Sequence, residues 1–183
     1  MVVMVNWLYS GHDDLANHGW RVAGFVGNLA THLQFPAETV SLFTLAGVLH
    51  DVGKRHLPRR ILDKDGPLTA MEWAIMRLHP ELGHRDVWSD VAPVVSRAIL
   101  HHHERFDGTG YPFGLAGSAI PEASRALLVA DAFDAMTSTR TYQPAMPVDW
   151  AIAELRAHSG SQFDPEMAAT MIEIVEGAAV LAA

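Results

Sequence analysis

Residues 40–54 read Val-Ser-Leu-Phe-Thr-Leu-Ala-Gly-Val-Leu-His-Asp-Val-Gly-Lys. Val40, Leu42, Phe43, Leu45, Val48 and Leu49 predict a largely buried helix that restarts the chain after Pro36 and ends near His50-Asp51. At that end an imidazole and a carboxylate stand side by side, turned about 100° from each other by helix geometry, toward the same corner. A carboxylate has two oxygens and can bridge two cations, which an imidazole cannot. Such a pair also arises by chance as ordinary polar residues at a helix end, so its weight depends on its company.

That company is a second stretch, His101-His102-His103-Glu104-Arg105-Phe106-Asp107-Gly108-Thr109-Gly110-Tyr111-Pro112, which ends in an acidic, glycine-rich turn. His102-His103 is a second adjacent pair. Asp131 sits in the apolar run Leu127-Leu128-Val129-Ala130-Asp131-Ala132-Phe133, where a carboxylate is costly to bury unless paired or metal-bound. His18 and His79 fall on two further helices. Donors from five separate elements, all nitrogen or oxygen, suit two or more divalent ions such as iron or manganese, and their type does not rule out zinc. The absence of cysteine excludes disulfides, thiolate zinc sites and cysteine nucleophiles.

Outward from these motifs the punctuation is helical. A helix is predicted from Asp13 or Asp14 to about Leu33 on the spacing of Leu15, Val22, Phe25, Val26 and Leu29. Thr69 with Glu72 has capping-box spacing after the turn Asp65-Gly66-Pro67 and predicts a helix from about Ala70 to Leu78. Another is expected from Ala92 to His103, a loop from Asp107 to Ile120, a helix from Glu122 to Thr137, and two more after Pro147 and Pro165. No alternating run suggests a strand. The expectation is one all-α compact helical bundle domain over 1–183, with 1–12 as an N-terminal extension and a core of about 14–175.

The chain has 183 residues, 49% of them hydrophobic, which is ample for a buried core. A net charge of −8 argues against general binding to DNA, RNA or an anionic membrane. Yet Lys54, Arg55, Arg59, Arg60 and Lys64 crowd into one stretch after His50-Asp51, which suggests a small anionic substrate. Arg59, Arg60 and Lys64 also read as a solvated loop. Residues 1–9 are apolar but too short to span a bilayer and lack a secretion signal's basic start. They read best as a helix packed on the core, and the chain as cytoplasmic and soluble.

With these residues in view, the chain resembles the HD-GYP family, the branch of the HD phosphohydrolase superfamily that degrades cyclic di-GMP. The matching stretches are residues 18–23, 50–54, Ile61-Leu62 with Gly66-Pro67-Leu68-Thr69, His79-Pro80, 102–112 and Ile120-Pro121. They continue through 131–137, Arg140 and Phe163-Asp164-Pro165, in the family's order. The resemblance implies metal ligands at His18, His50, Asp51, His79, His102, His103 and Asp131, and it leaves His101 without a role. Some members bind a third metal with help from a glutamate four residues before the first histidine, a position held here by Asp14. The implied cofactors are therefore two or three divalent ions, iron or manganese.

A phosphodiester needs an activated water and neutralisation of charge as phosphorus becomes five-coordinate, and a pair of metals supplies both. Asp51 is expected to bridge the ions, and Lys54 to contact the phosphate or stabilise the transition state. The resemblance places Gly110, Tyr111 and Pro112 beside the substrate, and Arg140 on a phosphate, a task suited to a guanidinium's paired donors. Glu104 and Asp107 are expected to orient imidazoles or fix the loop rather than bind metal. Where members often carry Arg or Lys, this chain has Gln143, which brings no charge; weaker phosphate binding or a different cyclic dinucleotide follows. The readings are a metal-dependent phosphodiesterase yielding pGpG or GMP, a metal-bound signalling module contacting a diguanylate cyclase through the loop, or a hydrolase of another nucleotide.

Overall fold

The computed structural model of the protein describes residues 13–139 and 144–182. Arg140, Gln143 and the N-terminal extension therefore lie outside the described residues. The first helix, α1 (Asp13–His32), buries Val22, Ala23, Val26, Leu29 and Ala30. The chain reverses through Gln34, whose φ of 58° is left-handed, and Pro36 starts α2 (Ala37–Leu49). The two helices run antiparallel and very close: Gly19 lies against Val48, Gly47 against Ala23 and Gly27 against Thr44.

Beyond α2 come a 3-10 helix (Val52–His56), α3 (Arg59–Leu62), α4 (Ala70–Met76), α5 (His79–Val87) and α6 (Pro93–His101). A loop holding a short 3-10 turn (Gly117–Ala119) leads to α7 (Glu122–Thr137), and α8 (Val148–Ala157) and α9 (Pro165–Ala182) follow. The bundle is all-α; two isolated bridges, Asp107 with Ala116 and Ser159 with Phe163, are the only strand-like pairings among the described residues.

The fold is organised around α7, which packs on α1, α2, α6, α8 and α9. Its Ala126, Leu127, Val129 and Ala130 are fully buried, and Phe133 meets Phe25 of α1 edge to face. Asp164 caps the start of α9 by accepting the Glu166 and Met167 N–H groups, and it pairs with Arg125 of α7. No helix among the described residues is long and apolar enough to cross a membrane.

Two predicted helices are shorter than expected. The one after Thr69 stops at Met76, and a new helix begins at His79 because Pro80, without an N–H, belongs in a first turn. The one predicted to reach His103 ends at His101, which leaves His102 as its C-cap and His103 in the following turn.

Candidate metal centre

Seven side chains expected as ligands converge from α1 (His18), the end of α2 (His50, Asp51), the start of α5 (His79), the end of α6 (His102, His103) and α7 (Asp131). Three imidazoles are aimed by one local device. Nδ1 of His50, His79 and His102 donates to the carbonyl three residues earlier, on Gly47, Met76 and Ile99, at 2.8, 2.7 and 2.6 Å. A carbonyl only accepts, so Nδ1 carries the proton and Nε2 presents a bare lone pair to the interior.

These lone pairs form two groups that share Asp51. Asp51 Oδ1 lies 3.3 Å from His79 Nε2 and 3.9 Å from His102 Nε2, while His103 Nε2 is 3.1 Å from His79 Nε2. On the other side, Asp51 Oδ2 is 3.4 Å from His50 Nε2 and 3.7 Å from His18 Nε2. Asp131 Oδ1 joins that second group, 3.1 Å from His18 Nε2 and 3.9 Å from His50 Nε2.

The donor set fits divalent cations. His79 and His102 face each other at 3.2 Å, Nε2 to Nε2, with neither nitrogen carrying a proton to share. His50 Nε2 and Asp51 Oδ1 are buried without a hydrogen-bond partner, a costly arrangement that a cation relieves. Burial pushes His79 down to about 3 and His103 to about 4, and holds His102 well below the usual imidazole range. All three are thus neutral, as a ligand must be. Burial also opposes charge on His18, but hydrogen bonds to Asp131 and Asp134 and the charges of Asp131 and Asp51 outweigh it and raise His18 to about 9, so a cation bound there would have to displace a proton.

Asp134 is a further member of the cluster that the reading of single motifs did not single out. Its Oδ2 lies 2.7 Å from His18 Nδ1, and Arg21 donates to both of its oxygens at 2.7 and 3.0 Å. Asp134 therefore fixes the ring so that Nε2 faces Asp131 and Asp51, as carboxylates behind metal-bound histidines do. The signal lay in two spacings: His18 and Arg21 share one face of α1, and Asp131 and Asp134 share one face of α7.

The loop after His103 is folded back onto the cluster. A Cβ on Gly110 would lie 2.3 Å from Arg105 N and 2.6 Å from His103 O, so only glycine permits this approach. Tyr111 N–H donates to His103 O, and the Tyr111 ring stacks on the His103 imidazole at 4.8 Å between centroids. Buried Glu104 accepts the Phe113 and Leu115 N–H groups, beyond the cis Tyr111-Pro112 bond. Asp107 accepts from the Thr109 N–H and hydroxyl and from Arg105, whose guanidinium and the Thr109 donors hold its carboxyl well below the usual range. Lys54 donates to Asp51 Oδ2 at 2.6 Å. Asp14 is exposed on α1, one turn before His18, and neither group of convergent donors includes it. A cavity of about 620 Å³ opens beside the cluster, with His103, Tyr111 and Gly110 on one wall and Trp73 and Ala74 of α4 and its C-cap Arg77 on another.

A family model described as "HD domain" matches residues 3–167. The cyclic di-GMP phosphodiesterase response regulator RpfG of Xanthomonas campestris is 40% identical over 79% of this chain and 39% of its own length. A 3'3'-cGAMP-specific phosphodiesterase 2 of Vibrio cholerae is 38% identical over 85% of this chain and 30% of its own. The chain thus spans well under half the length of these relatives. Among solved structures, Bd1817 of Bdellovibrio bacteriovorus, described as an HDG"Y"P protein, superposes with a TM-score of 0.72 at 23% identity. That match covers 88% of this chain and 52% of Bd1817.

Proposed function

The chain belongs to the HD domain family and, through its relatives, to the HD-GYP branch of it; from that premise we propose that it is a metal-dependent phosphodiesterase that hydrolyses cyclic di-GMP to linear pGpG, or to GMP where cleavage continues. The observation that carries the reading is one buried carboxylate, Asp51, shared by two groups of imidazole donors beside a cavity large enough for a nucleotide. One domain over about 14–175 accounts for the site.

His79, His102 and His103 with Asp51 Oδ1 would hold one ion, and His18, His50 and Asp131 with Asp51 Oδ2 the other. Iron or manganese suits this mixed imidazole and carboxylate set. When bound, such a pair supplies a nucleophilic hydroxide at neutral pH and neutralises the phosphoryl oxygens. The protein's own residues do the rest. The carbonyls of Gly47, Met76 and Ile99 keep the imidazoles in one tautomer, and the Asp134–Arg21 pair does so for His18. Lys54, on the Oδ2 side of Asp51, has its ammonium placed to turn from that oxygen to an incoming phosphate. Tyr111 and the Gly110–Pro112 backbone border the substrate, and Arg140 is assigned to a phosphate by the family pattern. The donor groups account for two ions; a third would have to recruit Asp14.

Turnover tests this directly. Protein loaded anaerobically with iron or manganese should convert cyclic di-GMP to pGpG and GMP, as followed by chromatography. Dinucleotide that is bound but left intact would instead favour a signalling module that touches a diguanylate cyclase through the Gly108–Pro112 loop. Similarity to a 3'3'-cGAMP-specific phosphodiesterase makes that dinucleotide the second substrate to try.

A further inference from the structure

The cavity has a wall that the metal reading leaves unused. Ala70, Trp73 and Ala74 of α4 and Arg77, the C-cap of that helix, form one stripe, spaced three and four residues apart, and all four line the cavity. Trp73 is 47% exposed, and two alanines flank it, so its indole face is open to the cavity. The helix is held rigid at its start by a complete capping box between Thr69 and Glu72, backed by Lys64.

Two arginines face this space, and they differ in what their donors do. Arg105 is fully engaged, with Asp107, Thr109 and Gln162 as acceptors. The Arg77 guanidinium makes no hydrogen bond or ion pair among the described residues. It lies 5.3 Å from the centre of the Tyr111 ring, which positions the planar fork without consuming its donors. The cavity thus offers an open aromatic face and, four residues on at the helix C-cap, an unspent pair of parallel donors.

We propose that this stripe reads a guanine base of the substrate, with Trp73 stacking on the ring and Arg77 donating two hydrogen bonds to its O6 and N7. Guanine presents those two acceptors side by side, whereas adenine sets an amino donor beside N7 and rejects the fork. Stacking alone tolerates any base, because every base has a π-face. Affinity therefore comes from Trp73 and discrimination from Arg77. The proposal rests on the reading of the chain as a cyclic dinucleotide phosphodiesterase, and its test separates the two.

The test is equilibrium binding of non-hydrolysable phosphorothioate analogues of cyclic di-GMP and cyclic di-AMP to the manganese-loaded full chain. The wild type should prefer the guanine analogue by about tenfold or more. Arg77→Ala and Arg77→Lys should both bring that ratio near one, since lysine restores the charge but not the fork. Trp73→Ala should weaken both analogues by about tenfold and keep the ratio. Circular dichroism confirms that each variant is folded. A wild-type ratio near one, an unchanged ratio in the Arg77 variants, or Arg77→Lys binding as the wild type does overturns the proposal; the last result marks a phosphate contact. Hydrolysis of bis(p-nitrophenyl) phosphate by the same wild-type sample probes the metal chemistry independently. Its absence would count against the phosphodiesterase reading while the binding ratio still decides the role of Arg77.

Discussion

Asp51 faces two groups at once: Oδ1 lies against His79 and His102, and Oδ2 lies against His18 and His50 and accepts from Lys54. Removing it takes an oxygen from both groups of donors. Asp51→Ala should therefore lose both ions and all turnover, checked by metal content and product analysis on one preparation. Asp134 works at one remove. Asp134→Ala frees the His18 ring and should lower affinity at the His18–His50–Asp131 group by about 10–100-fold, leaving the other group near its original affinity. Stepwise metal titration followed by calorimetry distinguishes the two groups. The side chains that converge were legible at this scale because each stands in a recognisable short motif. Asp134 was less so, because its work depends on a contact between residues 116 apart in the chain.

At the scale of elements, the turn of the metal motif depends on close backbone packing. A Cβ on Gly53 would lie 2.0 Å from His79 O and 2.5 Å from Gly83 N, because the 3-10 helix after Asp51 presses directly on the start of α5. Gly53→Ala should destabilise the fold by about 3 kcal/mol and displace His79 as well, read by denaturant unfolding. The start of α4 gives a pH-dependent prediction. Lys64 and the Thr69 backbone N–H hold Glu72 down to about 2. The folded value is below the ordinary glutamate value of about 4.3. This contribution is therefore complete above that value and lost as pH falls toward 2. The stability difference between wild type and Glu72→Gln should shrink over that window and be flat above pH 5. The long helices were legible from apolar spacing and from the prolines that open them. The break at Arg77-Leu78 was not, because residues 70–78 carry no glycine or proline, and the cavity wall on α4 emerged only when the loop folded over it.

Across the whole molecule, the putting together of five segments in one buried cluster makes metal binding and folding one equilibrium. His18, His50, His79, His102 and Asp131 come from helices whose other faces build the common core around α7. Loading should raise unfolding stability by about 2.7 kcal/mol at a free metal concentration one hundred times the dissociation constant. Thermal unfolding with and without a chelator checks this, and a midpoint that ignores the chelator would contradict it. The all-α architecture could be read from the sequence because its pattern is helical throughout. The bridging use of Asp51 was expected from its two oxygens; which imidazoles gather on each side of it was not, because that depends on how α5, α6 and α7 close around one carboxylate. Elemental analysis of the full chain after anaerobic loading tests that centre most directly. Two iron or manganese ions per chain are expected, falling to one in His79→Ala and to none in Asp51→Ala; a wild type that holds no ion, or an Asp51→Ala variant that still holds two, would rule out a centre shared through Asp51.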